Sequence, residues 1–291
     1  MSAPISVVIP TLGRSEQLAR TLAQVLEADP PPLEVVVVDG DPSGTARVVV
    51  DEMKDASTPL RHLASPPGLT VQRNRALQDI KGTIVLFLDD DVAIPSDTFQ
   101  KLDAAFKDPA VLGATGHVLE PDGGRIGGKT AALRRLMPGG GQEGGFTSYG
   151  YPRRLTDTTR SRDIEFMQGC FLAARTDAAI TVGFDEALPG YGLAEDEDFS
   201  TRLSRIGRIR YLADLEIVHE NTGFLTRDHR RFNQQVSVHR RYLFRKNFPQ
   251  TIRAKLGFAM FFASLVLHRA LNREWAGVRG LLEGLRMDLP R

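Results

Sequence analysis

The stretch Ile84-Val85-Leu86-Phe87-Leu88-Asp89-Asp90-Asp91 decides the fold: an apolar run without polar alternation ends abruptly in three carboxylates. Such a run reads as a strand buried on both faces, as in a parallel sheet. Ligands of open α/β sheets sit beyond the carboxyl ends of strands, so the acids face a crevice. Three adjacent carboxylates repel one another unless a cation neutralises them, which makes a divalent metal the natural occupant. Asp89 and Asp91 lie two apart and point to one side of an extended chain, while Asp90 points away.

Working outward, strand and helix alternate. Ile5 to Ile9 is a strand ending at Pro10-Thr11, and Ser15 is placed to cap a helix carrying Leu18, Leu22 and Val25 on one face. Leu33 to Val38 is a second apolar strand ending in Asp39-Gly40, followed by a helix over Thr45 to Met53. Leu60 to Leu63 forms a short strand, and Leu69 to Ile80 a helix bearing Arg73. The β-α-β-α order predicts an α/β fold with a mixed, mostly parallel Rossmann-like sheet flanked by helices.

Downstream, Asp97-x-x-Gln100 has the capping-box pattern, and Val111 to Leu119 reads as a strand. Glycine is dense over 121–150, which predicts a mobile loop or lid. Phe166 to Ala174 reads as a strand, and Glu195-Asp196-Glu197-Asp198 opens a helix whose buried face is Phe199, Leu203 and Ile206. Four consecutive acids exceed what the helix dipole requires, so one beside a metal site is a candidate base. Two strand-like pieces, Arg208 to Ala213 and Leu215 to Val218, run to His219, whose place at a strand end makes it a candidate metal ligand.

The chain has 291 residues, 42% hydrophobic and 25% charged, with a net charge of +1. That balance belongs to a globular protein with one large core and an appendage. Cys170 is the only cysteine, which excludes an internal disulfide and a cysteine-based zinc site, and a reducing cytoplasm fits. The N-terminal segment lacks a secretory n-region and long apolar stretch, so no export is expected. From Leu225 onward 14 Lys and Arg face 4 Asp and Glu, leaving 23 against 32 elsewhere. The acidic main part argues against nucleic acid, whereas a basic tail beside the apolar Leu256 to Leu267 and Trp275 suits an anionic membrane surface at the inner face of the plasma membrane. Packing on the main domain, or in a homodimer, is the alternative for that helix.

Taken together, Ser6-Val7-Val8-Ile9-Pro10-Thr11, Val37-Val38-Asp39-Gly40, Gln72-Arg73-Asn74, Asp89-Asp90-Asp91, Gly183-Phe184-Asp185-Glu186, Glu195-Asp196-x-Asp198 and His219 resemble the family 2 inverting glycosyltransferases of the GT-A fold. The resemblance covers about Ile5 to Glu220. Gln72 stands where relatives usually have Ala, and four acids stand where three are usual. The resemblance implies a catalytic domain over 1–224, with a nucleotide-binding half to about 119 and an acceptor-binding half over 120–224, ahead of a basic amphipathic helical tail over 225–291. It implies Mg²⁺ or Mn²⁺ held by Asp89, Asp91 and His219, and Asp196 as general base. Pro10, Thr11, Arg14, Asp39, Arg73, Asp89 and Asp90 would bind a nucleotide-diphospho-sugar, most commonly a UDP-sugar. Glu195, Asp198, Tyr191 and Gly169 would face a glycan or lipid-linked acceptor.

Two other readings use the same residues. A haloacid-dehalogenase-type phosphohydrolase also places Asp-x-Asp, here Asp89 and Asp91, after a buried strand, but that motif opens its domain and has Thr where Ala93 stands. A non-catalytic sugar-nucleotide or glycan-binding module would keep the pocket and have no use for Asp196.

Overall fold

The computed structural model describes residues 3–54, 56–119, 142–220 and 228–289. The chain divides into two compact units, Met1–Pro121 with Asp157–Asn221, and Asp122–Thr156 with Thr222–Arg291. Residues 142–156, expected in the acceptor-binding half, therefore group with the C-terminal helices. Most of the expected glycine-rich lid lies outside the described residues.

The first unit is one mixed sheet with helices packed on it. Its strands are β1 (Ala3–Thr11), β2 (Pro32–Asp39), β3 (Leu60–Ala64), β4 (Ile84–Leu88), β5 (Val92–Ala93), β6 (Val111–Leu119), β7 (Arg162–Ile164), β8 (Phe171–Arg175) and β9 (Arg208–His219). They run in the order β3-β2-β1-β4-β8-β6-β9-β5, with β7 on β9. The first four are mutually parallel, so Thr11, Asp39 and Asp89 emerge at one edge, with Thr11 level with Asp39. Strand β8 enters antiparallel between β4 and β6.

Strand β4 is buried on both faces, as its composition demands. Ile84, Leu86 and Leu88 share one core with α1 (Ser15–Leu26), α2 (Thr45–Glu52) and α4 (Thr98–Ala105), through Leu18, Leu22, Val50, Phe99 and Leu102. On the other face the Phe87 ring meets Phe184 edge-on at 4.9 Å and Phe199 at 6.4 Å. Phe199 lies on α6 (Glu195–Ser204); α3 (Leu69–Leu77) and α5 (Thr176–Val182) complete the helices described in this unit. Removing a ring buried on this scale costs about 3–5 kcal/mol.

Several local expectations are corrected. Ser15 is the first helical residue and makes no side-chain cap; Arg14 holds the N-cap position. Asp97 caps nothing and pairs instead with Lys101 at 2.9 Å, one turn along. Ile206 falls beyond α6 and is exposed. Residues 166–170 precede β8, because Phe171 N–H turns back to the Gln168 carbonyl.

The two expected C-terminal strands are one, β9, interrupted by a bulge. Its register against β6 jumps from Gly116 opposite Leu212 to His117 opposite Glu216. The bulge presses the Leu215 carbonyl so close that a Cβ on Gly116 would stand 2.3 Å from it, so only glycine fits.

In the second unit α7 (His229–Asn247), α8 (Ile252–Leu271) and α9 (Trp275–Gly284) pack with residues 142–156. Asp228 caps α7 through the N–H groups of Arg230 and Arg231, and Thr251 caps α8 through that of Ala254. Gly280 and Gly284 let α9 lie directly on the α7 backbone, since a Cβ on either would stand 2.2 or 2.5 Å from the Arg230 or Gln234 carbonyl. Tyr149, Tyr151, Phe244, Phe248, Phe258 and Phe261 form the core, with the Tyr151 and Phe261 rings 4.6 Å apart.

Candidate active site

Two sequence-distant elements meet where β4 ends. Strand β5, directly after the three acids, pairs antiparallel with the last residues of β9, setting Val92 opposite His219. The Glu220 N–H then donates to the Asp91 carbonyl at 3.0 Å. His219 Nε2 stands 3.3 Å from Asp91 Oδ1, and one ligand atom each from Asp89, Asp91 and His219 fall within 4.8 Å of one another. Two carboxylates and an imidazole match the oxygen and nitrogen donors that Mg²⁺ and Mn²⁺ take. The residues therefore fit a divalent ion.

Cationic side chains hold the acids in place. Arg14 pairs with Asp90 at 3.1 Å and donates to Asp91, and the Thr11 hydroxyl donates to Asp90 at 2.6 Å. Burial opposes charge on Asp91, yet hydrogen bonds from His219 and Arg14 overcome it and hold the carboxyl far below its usual range. Burial pushes Asp90 up to about 6 in spite of Thr11 and Arg14. Asp91 is thus an ionised carboxylate at neutral pH, and Asp90 turns toward Thr11 of β1.

Arg73 connects the two acidic clusters. Fully buried on α3, its guanidinium donates to Glu195 at 2.6 Å, to Asp89 at 3.1 Å and to the Gly169 carbonyl at 2.8 Å, and it stacks 5.2 Å from the Phe184 ring centre. It stands as a post beneath the site, its guanidinium turned to Glu195, Asp89 and Gly169. Gly169 N–H donates in turn to Asp196 Oδ2 at 3.0 Å, and Glu197 N–H to Asp196 Oδ1 at 2.9 Å. A Cβ on Gly169 would stand 2.9 Å from the Glu195 carboxylate, so Gly169 serves through its backbone.

The four acids of α6 divide by environment. Glu195, Glu197 and Asp198 are buried and Asp196 is half-buried. Asp198 pairs with Arg202 at 2.6 Å, and Arg202 also donates to the Gly183 carbonyl at 2.7 Å. Burial drives the Glu195 carboxyl up to about 8 against the pull of Arg73. Glu195 and Asp198, expected to face an acceptor, are thus buried and paired with Arg73 and Arg202. Tyr191 is exposed, on a turn between Gly190 and Gly192 that both hold positive φ.

At the end of β2, Asp39 accepts from the Asp41 N–H at 2.8 Å and faces His62 Nε2 at 3.2 Å. Pro10 is buried in β1 beside it. Gln72 donates to the Thr11 carbonyl at 2.9 Å and the Val38 carbonyl at 2.7 Å, tying β1 to β2 above the edge. Asn74 locks the Gly183-Phe184 turn by exchanging hydrogen bonds with Phe184 at 2.8 Å in both directions. His62 was missed in the sequence, because it sits on a short strand with no motif; Gln72 was noted only as a departure from the usual Ala, with no role given to it.

The family model described as Glycosyl transferase family 2 matches residues 6–183. An uncharacterised protein of Mycobacterium tuberculosis, MT1568, is 29% identical over 107 residues, which are 37% of this chain and 34% of that protein. The chain thus spans about a third of the curated relative it matches. Among solved structures, residues 1–349 of S. aureus TarS superpose with a TM-score of 0.54 at 18% identity, covering 98% of this chain and 91% of that one. The mannosyltransferase PcManGT from Pyrobaculum calidifontis, solved with GDP-Man and Mn²⁺, gives 0.57 at 17% identity, with 98% and 86% covered. GalNAc-T7, solved with UDP, GalNAc and Mn²⁺, gives 0.58 at 14% identity, with 89% and 54% covered. These likenesses show the GT-A fold.

Proposed function

The chain belongs to glycosyl transferase family 2 and is a glycosyltransferase, and from that premise we propose that it moves a sugar from a nucleotide-diphospho-sugar to an acceptor hydroxyl with inversion. The convergence of Asp89, Asp91 and His219 carries this reading. Neighbours of the same fold were solved with UDP-GlcNAc or with GDP-Man and Mn²⁺, which supports this donor class and a divalent ion. Membership of the family removes the phosphohydrolase reading.

Asp89, Asp91 and His219 would hold Mg²⁺ or Mn²⁺, which when bound supplies counter-charge to the departing diphosphate. Asp39, at the edge of β2 with Pro10 and Thr11, hydrogen-bonds the nucleobase. Asp196 takes the acceptor hydroxyl's proton as its oxygen attacks C1 from the face opposite the leaving group, and a single displacement inverts the anomeric centre. Backbone N–H groups of Gly169 and Glu197 hold both carboxylate oxygens of Asp196 in a fixed orientation. The acceptor is a glycan or lipid-linked hydroxyl, bound near Tyr191.

Thermal stabilisation tests the donor site directly. UDP, GDP and dTDP are each added with Mn²⁺, and a ligand at a hundred times its dissociation constant adds about 2.7 kcal/mol to folding. UDP is expected to raise the melting temperature most, and only with the ion present. No shift with any of the three overturns the reading.

A further inference from the structure

Helix α8 leaves one side uncovered in a regular pattern. Ile252, Leu256, Ala259, Met260, Ala263, Leu267 and Leu271 are all exposed, Ile252 by 87%. Their spacing of three and four places them in one stripe at about 100° per residue. The helix contains no acidic residue, and exposed Arg253 and Lys255 flank the start of the stripe. On α9 and the turn after it, Trp275, Arg279, Leu282 and Arg286 repeat the spacing along a shallow groove that also holds Glu283, which is paired with Arg279.

We propose that α8 and α9 form a surface that docks flat on an anionic lipid bilayer. The inference is independent of the donor and the reaction. Apolar side chains flanked by Arg and Lys, with a tryptophan nearby, are the composition of a helix lying among headgroups. Spanning the bilayer is disfavoured because the opposite side of α8 is already committed to protein: Ala254, Gly257, Phe261 and Phe262 are buried, with Phe258 stacked on Phe244 at 4.7 Å. Arg253, Lys255 and Arg286 are exposed on this surface, and Arg279 beside them is paired with Glu283 at 3.0 Å. Anionic headgroups meet those charges with opposite ones.

Trp275, the only tryptophan and 64% exposed, reports docking directly. The full chain is mixed with vesicles of phosphatidylcholine alone or with phosphatidylglycerol. On the anionic vesicles Trp275 emission shifts to the blue and the protein co-sediments. Raising salt from about 0.1 to about 1 M releases it, because the screening length falls from ~10 to ~3 Å. Leu256→Glu with Leu267→Glu lowers partitioning by at least about tenfold, the loss of two buried leucines, at an unchanged melting temperature. Should that variant misfold, Arg279→Glu, exposed at the rim, lowers anionic binding at least about fivefold and leaves neutral-vesicle binding unaltered. Absence of a blue shift on anionic vesicles at low salt overturns the proposal. So does a dimer that these substitutions dissociate while vesicle binding is absent. Neither outcome touches donor binding, which is read separately by thermal shift.

Discussion

Arg73 and Glu195 meet 2.6 Å apart at a depth where the guanidinium is fully buried and the carboxylate nearly so. One guanidinium there joins helix α6 to the end of β4, through Glu195 on one side and Asp89 on the other. Arg73→Met removes the shared donor and leaves Glu195, Asp89 and the Gly169 carbonyl without it. Each buried polar group left unsatisfied costs about 1–3 kcal/mol. Urea denaturation is expected to show that loss, with Glu195→Gln in the same chain recovering part of it; additive costs would mean the pair is uncoupled.

The raised Glu195 carboxyl makes stability depend on pH in a stated direction. Its ordinary value is 4.5 and burial lifts it to about 8, so between the two the folded state keeps a proton that the unfolded state gives up. The resulting stabilisation is complete below the lower value and is lost as pH rises through the higher. Asp90, raised only to about 6, contributes in the same sense over a lower range. Melting temperatures should fall above pH 6 in the wild type and fall less in Glu195→Gln. A steeper decline in the variant contradicts the assignment.

For the ion, His219→Ala and Asp91→Asn each remove one donor of the three-residue cluster. Mn²⁺ binding followed by electron paramagnetic resonance is expected to weaken by at least about tenfold, a loss that even outer partners of a metal cause. Activity should vanish with EDTA and return with Mn²⁺ or Mg²⁺. Turnover that survives chelation removes the ion from the reaction.

Asp196→Asn keeps the shape of the side chain and abolishes its basicity. Transfer should drop by about 10²–10⁴-fold while the melting shift produced by nucleotide diphosphate is retained. Near-normal turnover would exclude Asp196 as the base.

Much of the catalytic unit was legible because its signals are local. The unbroken apolar run of β4 ending in acids, the Thr11 and Asp39 strand ends, and His219 at the close of a strand are all read within a few residues. What escaped depends on distant partners. Arginine is ordinarily exposed, and nothing near Arg73 announces that Glu195, Gly169 and two phenylalanine rings will enclose it. Asp198 looked available beside Asp196, although Arg202 one helical turn on was a signal that it is paired. Strand β9 was split in two because Ala213-Asp214 resembles a break, when it is part of a bulge inside one strand.

That bulge governs more than the shape of β9. Successive residues of a strand face alternate sides, so the number of residues spent between Leu212 and Glu216 dictates which side chain arrives opposite Val92. With Gly116 fixing the kink, one residue added there would deliver Val218, and one removed would deliver Glu220. The chain therefore sets by counting which side chain joins Asp89 and Asp91, some way upstream of the imidazole itself, and a change at Gly116 would alter that cluster without touching any of its three residues.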